Sequence, residues 1–351
     1  MCCKTIYVSM LLFAVQLFAA TEYNIVDLGT LTADESSVYA INGNGKIIGS
    51  YLLNNERFFF EWDETNGLSV FDLPSSAVPK VLNDNGQIAG EYLTSGGVCG
   101  FFWDPQAGFT DLGSLGGQNT WVAGMNSLGQ IVGASETGNL SNIRDNTNEI
   151  HAFIWQEEIM KDLGVLNKNS QRGDESRATG INDQGEIVGC SNYALMHKGK
   201  WFVSPMKPFI YVDNEMKELL SDLEVGRNYF VSNINNDGDV ILLSYMDPSC
   251  YLSAQQSSVM FNKGTSVFKD IGGFWHSIRI LDDASVFLPY IQFGSVSYGT
   301  KNNVVSMSGI NVVDVGDWIS LQLVDYNNNW FIAHARNVYG ETHGVVLMPN
   351  K

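Results

Sequence analysis

The chain has 351 residues, a formal net charge of −18 and 44% hydrophobic residues. It holds enough apolar matter for a folded core, and its acidity excludes non-specific binding to nucleic acid or anionic lipid. Its five cysteines have no metal-ligand spacing, which argues against a zinc site or a disulfide framework.

The first 20 residues read as a signal peptide. Lys4 supplies the charged start, Tyr7 to Phe18 the apolar run and Ala19-Ala20 a small-residue cleavage site. The apolar run is shorter than the roughly 20 residues that a membrane span needs. Cys2 and Cys3 precede it and so form no lipid-attachment site. The expected product is residues 21–351 as a single repeat domain, exported to the periplasm, the cell surface or the medium, with no transmembrane span in the mature chain. It keeps Cys99, Cys190 and Cys250, an odd set in which one pair can form and the spacing does not choose which.

From residue 23 onward three short signatures alternate. The first is a turn with asparagine at its start and glycine three residues later, set between strands: Asn42 to Gly45, Asn83 to Gly86, Asn126 to Gly129, Asn182 to Gly185 and Asn235 to Gly238, with weaker copies at Asp282 and Asp325. The side chain of the asparagine caps the turn, and the glycine supplies its positive φ. The second is an aromatic strand, as in Phe58-Phe59-Phe60, Gly100-Phe101-Phe102-Trp103 and His151-Ala152-Phe153. The third is an Asp-Leu-Gly strand end, at Asp27, Asp111 and Asp162, with a variant at Asp270-Ile271-Gly272. The turns recur roughly every 40–55 residues, the period of a propeller blade. Each period holds four short strands and no helical pattern, which predicts an all-β fold, a β-propeller of seven four-stranded blades.

The frame of the repeats is permuted by one strand. The mature chain opens on an Asp-Leu-Gly strand, Tyr23 to Gly29, and ends on the third-strand type at Gly344 to Met348. The N-terminal strand is therefore expected to join the last blade and close the ring. At these residues the chain resembles the bacterial extracellular HAF-repeat family, through His151-Ala152-Phe153, the Asp111–Gly117 segment (Asp-Leu-Gly-x-Leu-Gly-Gly) and the Ile181–Gly189 segment (Ile-Asn-x-x-Gly-x-Ile-Val-Gly). The resemblance covers most of residues 22–351, strongest up to about 189, and implies export and a repeat fold without naming a reaction. In the later repeats the turn glycine is replaced by Ser285 and Asn328.

No catalytic motif accompanies these repeats. The acids of Asn235-Asn236-Asp237-Gly238-Asp239 invite a calcium reading, but a strand follows at once and no distant bidentate carboxylate is in place, so a plain hairpin turn is expected. His151 opens a strand within a signature and is expected to make a structural hydrogen bond. The periodic aromatic residues read as sheet-to-sheet packing. No cofactor and no metal site is expected. In a blade of this topology, the turns between strands two and three share one end with the connections between blades. The long insertions map there: Ala134–Ile150, Leu166–Arg177 and Cys190–Met206. They carry Arg144, Arg172, Arg177, Lys198, Lys200 and Trp201, a candidate site for an anionic protein or glycan partner. The leading reading is a secreted binding module; the alternative is a glycan hydrolase using paired carboxylates at the central channel.

Overall fold

The computed structural model describes residues 21–28, 35–140, 148–166, 175–192, 194–197, 200–203, 206–219, 227–246, 257–262, 267–270, 279–280, 286–287, 305–307, 310–313, 318–327 and 330–349. The leader at residues 1–20 lies outside them. The secondary structure they contain is strand and turn throughout. After β1 (Thr21–Asp27) comes a first sheet of β2 (Glu35–Ile41), β3 (Ile47–Leu53), β4 (Glu56–Asp63) and β5 (Gly67–Phe71). The second is β6 (Val78–Leu82), β7 (Ile88–Thr94), β8 (Gly97–Asp104) and β9 (Gly108–Asp111). The third is β10 (Thr120–Met125), β11 (Ile131–Leu140), β12 (Asn148–Gln156) and β13 (Ile159–Gly164).

The fourth sheet pairs β14 (Glu175–Ile181), β15 (Ile187–Asn192), β18 (Lys207–Val212) and β19 (Glu215–Glu218). Between β15 and β18 the chain makes a separate ribbon of β16 (Ala194–His197) and β17 (Lys200–Val203). The fifth sheet is β20 (Arg227–Ile234), β21 (Val240–Met246), β22 (Ser257–Asn262) and β23 (Val267–Asp270). All five are antiparallel meanders in sequence order apart from that ribbon.

The sixth expected unit differs from the sequence reading. It supplies β24 (Arg279–Ile280) paired with β25 (Val286–Phe287), and β26 (Val305–Met307) paired with β27 (Ile310–Val313), in separate sheets. This copy has Ser285 at the turn-glycine position and Val304-Val305-Ser306-Met307 where the early units have an aromatic strand.

The last sheet runs β28 (Trp318–Asn327), β29 (Trp330–Asn337), β30 (Thr342–Pro349), β1, and then β27–β26 laid along β1. β1 pairs antiparallel with β30, from Tyr23 opposite Pro349 to Asp27 opposite Val345. The permuted N-terminal strand thus takes the fourth place in the last unit, as its sequence frame requires.

Consecutive sheets pack face to face on apolar residues. Val38, Ile47 and Phe60 of the first meet Leu28, Ile332 and Val346 of the last. Ile48 and Phe59 meet Ile88 and Phe101. Ala89 meets Ile131 and Phe153, Val132 and Ala152 meet Ile187 and Phe209, and Val188 meets Val231 and Val240. The aromatic signature is therefore core, as expected.

The glycine that ends Ile-Val-Gly has a steric cause. Gly189 lies opposite Phe209, and a Cβ there would fall 2.7 Å from Phe209 Cζ and 2.8 Å from Ala178 Cα, with the Arg177 carbonyl nearer still. The same crowding holds at Gly49, Gly90 and Gly133, each opposite a phenylalanine. In the last unit Ala333 takes the glycine place and its partner is the smaller Val345. In the fifth unit Leu242 faces Val259, so the glycine is found where its cross-strand partner is phenylalanine.

Candidate functional site

The two ends of this stack are built differently. At one end lie the asparagine turns, whose glycines all have positive φ, such as +77° at Gly185. Each asparagine faces two ways. Asn182 Oδ1 accepts the Glu186 amide at 2.9 Å, closing its own turn, and its Nδ2 donates to the Asn235 carbonyl of the next unit at 3.2 Å. The same inter-unit bond runs from Asn42 to Asn83, Asn83 to Asn126 and Asn126 to Asn182. Asp325 Oδ2 takes the Ile41 amide at 3.3 Å in the corresponding joint between last and first units.

Acids of these turns serve the same belt. The Gly43 amide donates to Asp84 Oδ1, and the Ser127 amide to Asp183 Oδ1 at 2.8 Å. Burial works to raise the Asp183 pKa, but the bonds from Ser127 and Asn236 outweigh it and hold the carboxyl below its usual range. The Asn235 turn has the geometry of the others, with the Asp239 amide bonded to Asn235 Oδ1 at 2.7 Å. It is a plain hairpin turn.

At the other end two of the signatures meet the first strand of the next unit in one joint. Ser176 Oγ donates to the Gly164 carbonyl at 2.6 Å and accepts the Ala152 amide at 2.8 Å, so Asp-Leu-Gly, His-Ala-Phe and the next inner strand are tied by one hydroxyl. Ser36 accepts the Gly344 amide in the last-to-first joint, and Thr120 Oγ1 donates to the Gly113 carbonyl. His151 Nδ1 lies 2.8 Å from Asp162 Oδ2. Burial works to raise the Asp162 pKa, yet the His151 ring and the Gly164 amide prevail and hold it low. The pairing recurs at His343–Asp27 and as an ion pair at Lys207–Glu218. His151 has the structural place expected of it.

The six residues singled out by sequence are not brought together in the described part of the chain. Arg144, Arg172 and Lys198 lie outside the described residues. Lys200 and Trp201 are on β17, opposite His197 and Met196 respectively. Arg177 is half-buried on β14 with its guanidinium 5.5 Å from the centre of the Trp121 ring, a cation–π contact between neighbouring units. Cys99 and Cys190 are both free thiols, and Cys250 is outside the described residues. Cys190 is buried, which pushes its pKa up to about 12. Among the described residues no group of three or more His, Cys, Asp or Glu is placed to hold a metal ion.

Sequence reasoning missed a different feature of this same end. Large apolar side chains stand in solvent on or beside the turns between second and third strands: Leu52, Leu93 (64% exposed), Leu140 (55%), Val338 and Tyr339 (77%). They come from the last, first, second and third units, which are consecutive in space. Val338 and Tyr339 sit in a rigid turn, since Asn337 Oδ1 accepts the amides of Tyr339 and Glu341, both at 3.0 Å, and Asn337 Nδ2 donates to Glu341 Oε2. The asparagine-turn end exposes Leu128 and Ile159 in the third unit and, less fully, Phe109 in the second. The signal was present as Asn337-Val338-Tyr339-Gly340, an asparagine turn with two apolar residues where the others carry mostly polar ones.

These sheets, joined as meanders and packed in sequence around their inner strands, have counterparts among solved structures. The acylaminoacyl peptidase of Pyrococcus horikoshii matches over 93% of this chain and 54% of its own, with a TM-score of 0.50 and 10% identity. The fold is a β-propeller. The propeller domain of the trilobed protease from Pyrococcus furiosus matches with a TM-score of 0.46 and 11% identity, over 88% of this chain and 78% of that one. The polysaccharide lyase Uly1 gives 0.47 and 9%, over 91% and 89%. This chain spans about half the length of the peptidase, and at such identities the likeness concerns fold alone. No family model matches the chain, and no curated protein does.

Proposed function

We propose that the chain is an exported interaction module: a seven-bladed propeller tied by β1, which presents the end bearing its second-to-third-strand turns to a partner. Residues 1–20 supply the export signal in this reading, and β24 to β27 are the sixth copy of the repeat, whose β26–β27 ribbon is laid along β1 of the last sheet. The observation that carries it is the gathering of solvent-exposed Leu52, Leu93, Leu140, Val338 and Tyr339 at that end. Exposed apolar residues that recur blade after blade on one face are a mark of interaction surfaces. The scaffold leaves these turns free to vary, because the joints that hold the blades lie in the strands.

A photo-crosslinking amino acid placed singly at 93, 339, 128 or 159 in the producing cells tests the reading. Discrete adducts from 93 and 339, with none from 128 and 159, are expected. Adducts confined to 128 and 159 would put the partner on the opposite end.

A further inference from the structure

The charges around the apolar arc indicate what seats on it. Glu35 lies across the strands from Leu52, and Glu56 and Glu341 border the turns of the first and last blades. Asp72, Asp111 and Asp162 mark the outer-strand ends of the first three blades, and all six acids are exposed. Among the described residues the exposed cations at this end are Arg57 and Arg336. Lys80 is bonded to Glu91, and Lys207 to Glu218. The arc therefore consists of apolar knobs in an acidic field.

Resting on the reading of this end as the binding face, we propose that its partner is a protein segment carrying apolar side chains among lysines and arginines. Apolar contact supplies affinity once water is excluded, while the opposite charges steer and select the partner. A second copy of this chain would bring like charge against like charge. An anionic bilayer is disfavoured for the same reason.

The test uses the whole purified chain and three fluorescent peptides of equal length. One sets two leucines and a tryptophan among lysines, one sets them among glutamates, and one sets serines among lysines. The first should bind at least about tenfold more tightly than the other two. Leu93→Ser, Leu140→Ser and Tyr339→Ser combined should weaken it at least about tenfold, with a melting temperature within about 2 °C of the parent because these side chains are outside the core. Leu128→Ser with Ile159→Ser should change nothing. Glu56→Gln with Glu341→Gln should weaken binding by about threefold and flatten its salt dependence.

Equal binding of the serine peptide would overturn the proposal by leaving only Coulomb attraction. Tighter binding of the glutamate peptide, abolished by the triple variant, would overturn the partner class and keep the face. Loss of binding in the Leu128/Ile159 variant would overturn the face itself. Capture by phosphatidylcholine–phosphatidylglycerol vesicles, or a dimer in the absence of peptide, abolished by the triple variant in either case, would replace the partner by a membrane or a second copy.

Discussion

The pairing of Gly189 with Phe209 makes a quantitative prediction. An alanine at 189 places its Cβ 2.7 Å from Phe209 Cζ and 2.8 Å from Ala178 Cα, well inside van der Waals contact. Overpacking of this kind costs about 1–3 kcal/mol, and the upper end applies because two obstacles, the Arg177 carbonyl and Ala178 Cα, are backbone that a rotamer change cannot move. Phe209→Val alone leaves a cavity and costs about 2–3 kcal/mol, less than the 3–5 typical of truncation to alanine. The last blade shows that the two changes are compatible, since Ala333 faces Val345 there with both fully buried. The double variant relieves the overlap with Phe209 and not that with the backbone, so it should cost about 1 kcal/mol less than the two single changes taken together. Urea unfolding with linear extrapolation measures all three, provided the slopes agree. Additivity within about 0.5 kcal/mol would refute the part assigned to Phe209 in excluding a side chain at 189.

Other outcomes follow from the same contacts. Asn182→Asp keeps the acceptor for the Glu186 amide but turns a donor toward Asn235 and Glu186 into a carboxylate; it should cost about 2–3 kcal/mol by thermal denaturation, and more than Asn182→Ser. Gly185→Val should be worse than Gly185→Asn, because φ is +77° and a β-branched residue is strained there; equal melting temperatures would contradict it. Iodoacetamide at neutral pH should label Cys99 in the folded protein and spare Cys190, whose thiol is buried and pushed up to about 12, as peptide mass spectrometry can show. Asp162 has a depressed folded pKa, so its contribution to stability is present above the unfolded value near 3.9 and is lost as pH falls through the lower folded value. His151→Ala should move the acid-unfolding midpoint to higher pH by a fraction of a unit, the carboxylate being half exposed.

Much of the fold was legible because its constraints are local and repeated. Asn182 and Gly185 announce a turn, the aromatic strands a packed core, and the Asp27-Leu28-Gly29 opening a displaced fourth strand. The sixth unit was not legible, since its signatures had decayed and nothing in Asp282 or Met307 says that β27 lies along β1. The belt of asparagine side chains was half legible: a turn cap can be read from sequence, whereas its bond to the next unit depends on how sheets stack. The apolar arc was hidden for a plainer reason. Leu93 and Leu140 look like core residues until the turn they stand on is placed in solvent.

The account depends most on β1 as the fourth strand of the last blade, since that tie fixes the frame on which the binding end is displayed. Hydrogen–deuterium exchange on the full chain reads it directly. The amides of β1 within residues 24–27 should exchange as slowly as those of β30 at residues 345–348, their partners in the ladder. Exchange of β1 within seconds, while β30 stays protected, would contradict the tie.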